Sequence, residues 1–283
     1  MQAFKVYKNI SLKGKHSREI LVDAFVPESD QALPVVIFSH GFKGFKDWGP
    51  FNTIAEMFAE AGFAFIKFNF SFNGTTAEEP LEFADLEAFG NNNFTKELDD
   101  LEHVIEWVMA EKQLFKAQTD KISLLGHSRG GGITILKAAE HNNIASLATW
   151  AAVADFSRFI TGQDIEDWKN SGVHFIENTR TGQMMPLYLQ LYHDYFENHE
   201  RLQIKSAMNR INKPVLLVHG TEDETVSISH GQELQRQNPE WARLIVIQGG
   251  DHTFGAGHPF LSELLPPQFQ QVVIETVRFF KKA

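Results

Sequence analysis

The chain has 283 residues, a length that α/β folds routinely keep as one undivided domain. Its 36 acidic and 26 basic residues leave a formal net charge of -10, which argues against nucleic acid as a partner. It contains no cysteine, so no disulfide framework, and no apolar run approaches the length of a membrane span. Met1 to Ile20 has no apolar stretch after its basic residues, so no signal peptide is expected, and the expected location is cytoplasmic.

Phe4 to Ser11 and Arg18 to Val26 alternate as two opening strands would, forming an antiparallel hairpin at one sheet edge. Pro34 to Ser39 reads as the first buried parallel strand. Ile54, Phe58 and Ala61 then fall at helical spacing, and Phe63 to Phe70 is the next strand. Leu98, Leu101, Ile105 and Val108 form one face of a helix that Asn93 or Thr95 can cap. Lys121 to Leu125 is a strand, followed by a helix to about Asn142 and a strand near Leu147 to Val153. After a long interruption come strands at Pro214 to Val218 and Arg243 to Ile247. Phe269, Val272, Val273, Thr276, Val277 and Phe280 make a closing amphipathic helix, with Lys281 and Lys282 at its negative pole. Strands alternating with helices predict an α/β fold, a mostly parallel doubly wound sheet covered on both faces. The 25 phenylalanines are read as core.

The densest chemical signal is Gly126-His127-Ser128-Arg129-Gly130. An apolar strand precedes this Gly-x-Ser-x-Gly and a helix-compatible segment follows, the setting of a nucleophile elbow. The helix that starts there points its positive end at charge developing near Ser128. A serine needs a base and a group to orient it. Asp223 follows the strand ending at His219-Gly220, and His252 follows the strand ending at Ile247. Strand ends of a parallel sheet gather on the edge where ligands bind.

Phe38-Ser39-His40-Gly41-Phe42 with Lys43-Gly44, Gly126 to Gly131, His219 to Asp223 and Gly249 to His252 together resemble the serine α/β-hydrolase superfamily, within it the dienelactone-hydrolase-like and cinnamoyl-esterase-like branch. The resemblance runs from about Val35 onward and implies the α/β-hydrolase fold. It also implies roles: Ser128 as nucleophile, His252 as general base, Asp223 as its orienting acid, in that chain order. The oxyanion hole would be the backbone N–H groups of Phe42 and Arg129. Other histidines and acids receive plainer readings. His40 and His219 make structural hydrogen bonds, His258 is a turn residue, and Glu222 and Glu224 flank the acid without replacing it. No metal site and no cofactor is expected.

Two insertions interrupt the pattern. The first, Ser71 to Asn93, carries Glu78, Glu79, Glu82, Asp85 and Glu87 and reads as a solvated active-site loop. The second, approximately 155-212, reads as a helical cap within a single catalytic domain, 1-283. Of its apolar residues, Met184, Met185 and Tyr188 are the expected substrate contacts. The whole predicts a serine hydrolase that cleaves carboxylic esters of small molecules through an acyl-enzyme, favouring a hydrophobic or aromatic acyl group. An exopeptidase or acyl-aminoacyl peptidase of the same fold, and a non-catalytic protein binding a hydrophobic ligand, are the alternatives. Oligomeric state is not readable.

Overall fold

The computed structural model describes residues 2–161 and 165–283. Strand β1 (Phe4–Lys13) pairs antiparallel with β2 (Glu19–Pro27), as the alternation predicts. Next come β3 (Leu33–Ser39), α1 (Phe51–Glu60), β4 (Ala64–Phe68), α2 (Leu86–Gly90), α3 (Phe94–Ala110), β5 (Ala117–His127), α4 (Arg129–Glu140) and β6 (Ile144–Trp150). The second insertion supplies α5 (Ile165–Ser171), β7 (Val173–Asn178), β8 (Gln183–Tyr188), α6 (Gln190–Glu197) and α7 (Ile204–Arg210). The chain closes with β9 (Val215–Gly220), α8 (Ser229–Gln237), β10 (Ala242–Ile247) and α9 (Pro267–Phe280).

The main sheet has the order β1-β2-β4-β3-β5-β6-β9-β10. From β4 to β10 every pairing is parallel, while β2 lies antiparallel on β4. A strand covered on both faces must be apolar at every position. In β3, Val35 and Ile37 enter one core, and Val36 and Phe38 enter the other. Helices α1 and α9 cover the second face through Ile54, Phe58, Val272 and Val273. Helices α3 and α4 cover the first through Leu98, Leu101, Ile133 and Ile135. Asn93 is the cap of α3, its Oδ1 accepting from the Lys96 N–H at 2.9 Å.

Buried charge fastens the loop after β3 to the sheet. Lys67 of β4 and Asp23 of β2 are fully buried and 2.9 Å apart. Lys46, in that loop, donates to the same Asp23 oxygen at 2.9 Å, and Asp47 bridges both lysines at 2.5 Å. Four charges that neutralise one another can stay out of water, whereas one left alone there is strongly disfavoured.

The insertions depart from expectation in two ways. The first is not a plain solvated loop, because it contains α2, whose Asp85 cap accepts from Ala88 N–H at 2.8 Å. Asp85 also pairs with Arg18, Glu82 with Arg180 at 3.1 Å, and Glu87 accepts from the Tyr188 hydroxyl at 2.5 Å. Glu78 and Glu79, the other two of the five acids in this insertion, stand exposed. The second insertion is not all helical. Its centre is the antiparallel pair β7 and β8, closed by a turn in which Gly182 sits at a φ of 71°. Residues 162–164 of this span lie outside the described residues.

Candidate active site

Strand β5 delivers its last residue, His127, to a sharp turn where Ser128 takes φ 56° and ψ -119° before α4 begins at Arg129. A non-glycine residue there stores roughly 1–3 kcal/mol of strain, sustained only when its surroundings leave no alternative. Those surroundings are tight. A β-carbon on Gly130 would lie 2.2 Å from the His40 carbonyl oxygen, so the start of α4 rests directly on the end of β3. A β-carbon on Gly41 would lie 3.1 Å from the Ser128 Cβ, which puts the loop after β3 over the serine.

His252 comes from the loop after β10 and Asp223 from the loop after the neighbouring β9. The His252 Nδ1 lies 2.8 Å from Asp223 Oδ2, and its Nε2 lies 3.0 Å from Ser128 Oγ. Asp223 Oδ1 accepts from the N–H groups of Thr225 and Val226 at 3.0 and 2.7 Å. Burial alone raises the Asp223 pKa. Hydrogen bonds from His219 and His252 outweigh it and hold the carboxyl well below the usual carboxylate range. An ionised Asp223 can only accept, so the Nδ1 of His252 carries the proton and Nε2 is free to accept from the serine hydroxyl. Glu222 and Glu224 point to solvent while Asp223 is buried.

The remaining histidines hold the frame. His40 Nδ1 donates to the Gly41 carbonyl at 2.9 Å, and its Nε2 accepts from Phe70 N–H at 3.3 Å. Burial lowers its pKa to about 4. His219 Nε2 donates to the Val226 carbonyl at 2.7 Å and lies 3.4 Å from Asp223. His258 Nδ1 accepts from Gly49 N–H at 2.9 Å and its ring stacks on Trp48, far from a base's role.

A cavity of about 470 Å³ opens on Ser128 and His252. Its apolar wall includes Phe42, Trp48, Phe51, Phe159, Ile176 and Leu187. Phe42 thus lies beside the serine, and Arg129 is the first residue of α4, before the hydrogen-bond ladder that starts with Gly131 N–H donating to the Ser128 carbonyl at 3.0 Å. Met184, Met185 and Tyr188 do not line this cavity, which corrects the sequence expectation. Met185 is fully buried in the core, Met184 is 51% exposed on the outer face, and Tyr188 packs its ring on Gly90. The period-two alternation of β8 turns Met184 and Tyr188 to the face opposite Leu187, and of the two residues on the inner face Leu187 reaches the cavity while Met185 stays in the core.

Sequence reasoning also passed over His127 and the side chain of Arg129. His127 Nε2 donates to the main-chain carbonyl of His252 at 2.9 Å, and burial lowers its pKa to about 3. The Arg129 guanidinium is buried among the rings of Phe42, Phe94 and Phe159, 4.6 to 5.3 Å from their centres. Its position after the serine was the only clue in the chain. Among the described residues no group of three or more His, Asp or Glu side chains could hold a metal ion, and no helix is long and apolar enough to cross a membrane.

Comparison with known proteins bears on the family and the fold. A stretch of 149 residues is 31% identical to the uncharacterized 31.7 kDa protein of the traX-finO intergenic region of Escherichia coli, covering 53% of this chain and 48% of that one. Another, of 152 residues, is 28% identical to the uncharacterized peptidase YtmA of Bacillus subtilis, covering 52% of each. The chain spans about half the length of the curated relatives it matches. Among solved structures, Est1E from Butyrivibrio proteoclasticus with ferulic acid bound superposes with a TM-score of 0.72 at 19% identity, over 96% of this chain and 98% of that one. The dienelactone hydrolase of Anabaena variabilis gives 0.67 at 17% identity, over 99% and 98%. These two likenesses are of fold. The BD-FAE family matches residues 22–237, most of the chain, and the chain therefore belongs to that family, an esterase-type domain of the α/β-hydrolase fold.

Proposed function

We propose that the protein is a serine hydrolase that cleaves carboxylic esters of small molecules through an acyl-enzyme. The observation that carries this reading is the unbroken chain from Ser128 Oγ through the His252 ring to Asp223, at 3.0 and 2.8 Å. Ser128 attacks the carbonyl carbon as His252 Nε2 takes its proton. Asp223 stabilises the imidazolium that results. The tetrahedral oxyanion is met by the N–H groups of Phe42 and Arg129, each worth roughly 3–4 kcal/mol in sites of this kind. His252 then returns the proton to the leaving alcohol, and water repeats the sequence to release the acid.

The aromatic wall formed by Phe42, Trp48, Phe51 and Phe159 supports a hydrophobic or aromatic acyl group. In this reading residues 155–212 act as a cap over the catalytic edge of one domain, and Phe159, Ile176 and Leu187 are its contribution to the cavity. A peptidase that grips a free amino terminus needs a carboxylate beside the serine. None lines the cavity among the described residues, so the ester reading is preferred.

The test is turnover of p-nitrophenyl esters of increasing acyl length, together with a feruloyl ester, by wild type and Ser128→Ala. Hydrolysis that disappears in the variant is the expected result. Equal marginal rates in the two proteins would overturn the assignment and favour a ligand-binding protein.

A further inference from the structure

The cavity is basic on an acidic protein. The chain carries a net charge of -10, yet the carbon-lined pocket over Ser128 presents Lys43 and Arg158 and no Asp or Glu among the described residues. Neither cation spends its charge on a carboxylate there. Lys43 Nζ donates to the main-chain carbonyl of Glu177 at 3.1 Å, and Arg158 Nη2 donates to that of Thr225 at 2.6 Å. Lys43 stands at a φ of 55° in the loop over the serine, half-buried, where burial lowers its pKa and the Glu177 charge only partly offsets that. The residue after Glu177 is Asn178, also in the cavity wall and 6% exposed, whose amide nitrogen has no hydrogen-bond partner. Lys43 uses one of the three N–H groups of its ammonium on a neutral carbonyl, so its charge and its other donors remain for an anion.

We propose that this cavity selects esters that carry a carboxylate away from the scissile carbonyl, with Lys43 and Arg158 as the cations that bind it. The inference rests on the esterase reading above and narrows its substrate class. Lys43 and Arg158 are specificity-determining residues in it, acting on the far end of the substrate rather than on the reacting atoms. The aromatic wall holds the body of the substrate between the two ends.

Two matched ester pairs test it. In the first, p-nitrophenyl hexanoate is compared with the mono-p-nitrophenyl ester of adipic acid, which places a carboxylate on the acyl end. In the second, phenyl butyrate is compared with 4-carboxyphenyl butyrate, which places it on the leaving alcohol. The quantity read is kcat/KM for the anionic member divided by that for its neutral partner, in wild type, Lys43→Met and Arg158→Gln. Loss of one charged hydrogen bond should lower that ratio about tenfold in at least one pair, and added salt should lower it in wild type. Dividing by the neutral ester removes any general damage from a substitution in the loop. The same ratio in all three proteins for both pairs, with turnover still abolished by Ser128→Ala, overturns the anion site and leaves the esterase standing. No Ser128-dependent turnover of any of the four esters overturns both.

Discussion

Arg129 and Glu97 form an ion pair in the core, Nε donating to Oε2 at 3.0 Å and Nη2 lying 2.9 Å from Oε1, with each residue at most 3% exposed. The pair ties the residue after the serine to the first turn of α3. The rings around the guanidinium come from three separate segments: Phe42 from the loop over the serine, Phe94 from α3, and Phe159 from the cavity wall. Burial raises the Glu97 pKa, while Arg129 and a hydrogen bond from Asn92 pull it down.

Glu97→Gln leaves a buried guanidinium without its counter-charge and should lower stability by about 3–5 kcal/mol. Replacing both partners at once, Arg129→Met with Glu97→Leu, should cost less than the single change, because no charge is then stranded. Urea unfolding of the three variants checks the order. A double variant less stable than Glu97→Gln would show that the pair contributes more than its own neutralisation.

Ser128, Asp223 and His252 should behave as one unit in kinetics. Ser128→Ala and His252→Ala should each remove about six orders of magnitude in kcat, and the pair together should remove no more than either alone. Asp223→Asn should cost about four orders, since an amide no longer selects the productive imidazole tautomer. Additive losses, measured as kcat on a p-nitrophenyl ester, would mean that the serine and histidine act separately.

Gly130→Ala tests the contact between α4 and β3. The added carbon meets the His40 carbonyl at 2.2 Å, so the main chain must shift. Overpacking of this kind costs about 1–3 kcal/mol in stability. The shift also moves the neighbouring loop that holds Phe42, so kcat should fall even at temperatures where the variant is fully folded. Circular dichroism and ester turnover on one preparation separate the two effects.

Asp100 supplies a pH dependence. It is 1% exposed, accepting from Ser71 N–H at 2.7 Å and from the Ser71 hydroxyl at 2.8 Å, and burial raises its pKa to about 7. An unfolded aspartate titrates near pH ~3.9. Between those values the native state keeps a proton that the unfolded chain releases, so the contribution of this group falls as pH rises from about 4 to about 7. Above that window it stays at its lower level, about 4 kcal/mol less favourable by linkage. Asp100→Asn has no such proton. The melting temperature of the variant relative to wild type should therefore climb from pH 5 to pH 8, and a flat difference would contradict the buried titration.

Much of this was legible in the chain. Val35 to Phe38 are apolar at consecutive positions, which only a strand covered on both faces requires, and that placed the parallel sheet. The turn from β5 into α4 was visible because glycine is needed where main chains touch. The cavity lining was not legible in the same way. Whether Met184, Met185 or Leu187 faces the substrate depends on the register and tilt of a hairpin, and all three are equally apolar. Nor does local pattern link Arg129 to Glu97, which lie on separate helices and meet only once the sheet has formed between their strands.

The bond from His127 to the main-chain carbonyl of His252 reaches further than its length suggests. It grips His252 by its backbone and not by its ring, so the loop after β10 does not depend on the imidazole for its position. A chain with alanine at 252 would keep that loop in place around an imidazole-shaped vacancy, bordered by Asp223 on one side and the serine hydroxyl on the other. Such a vacancy is a docking place for free imidazole supplied in the buffer, and the reaction would then run with a base that the polypeptide no longer carries.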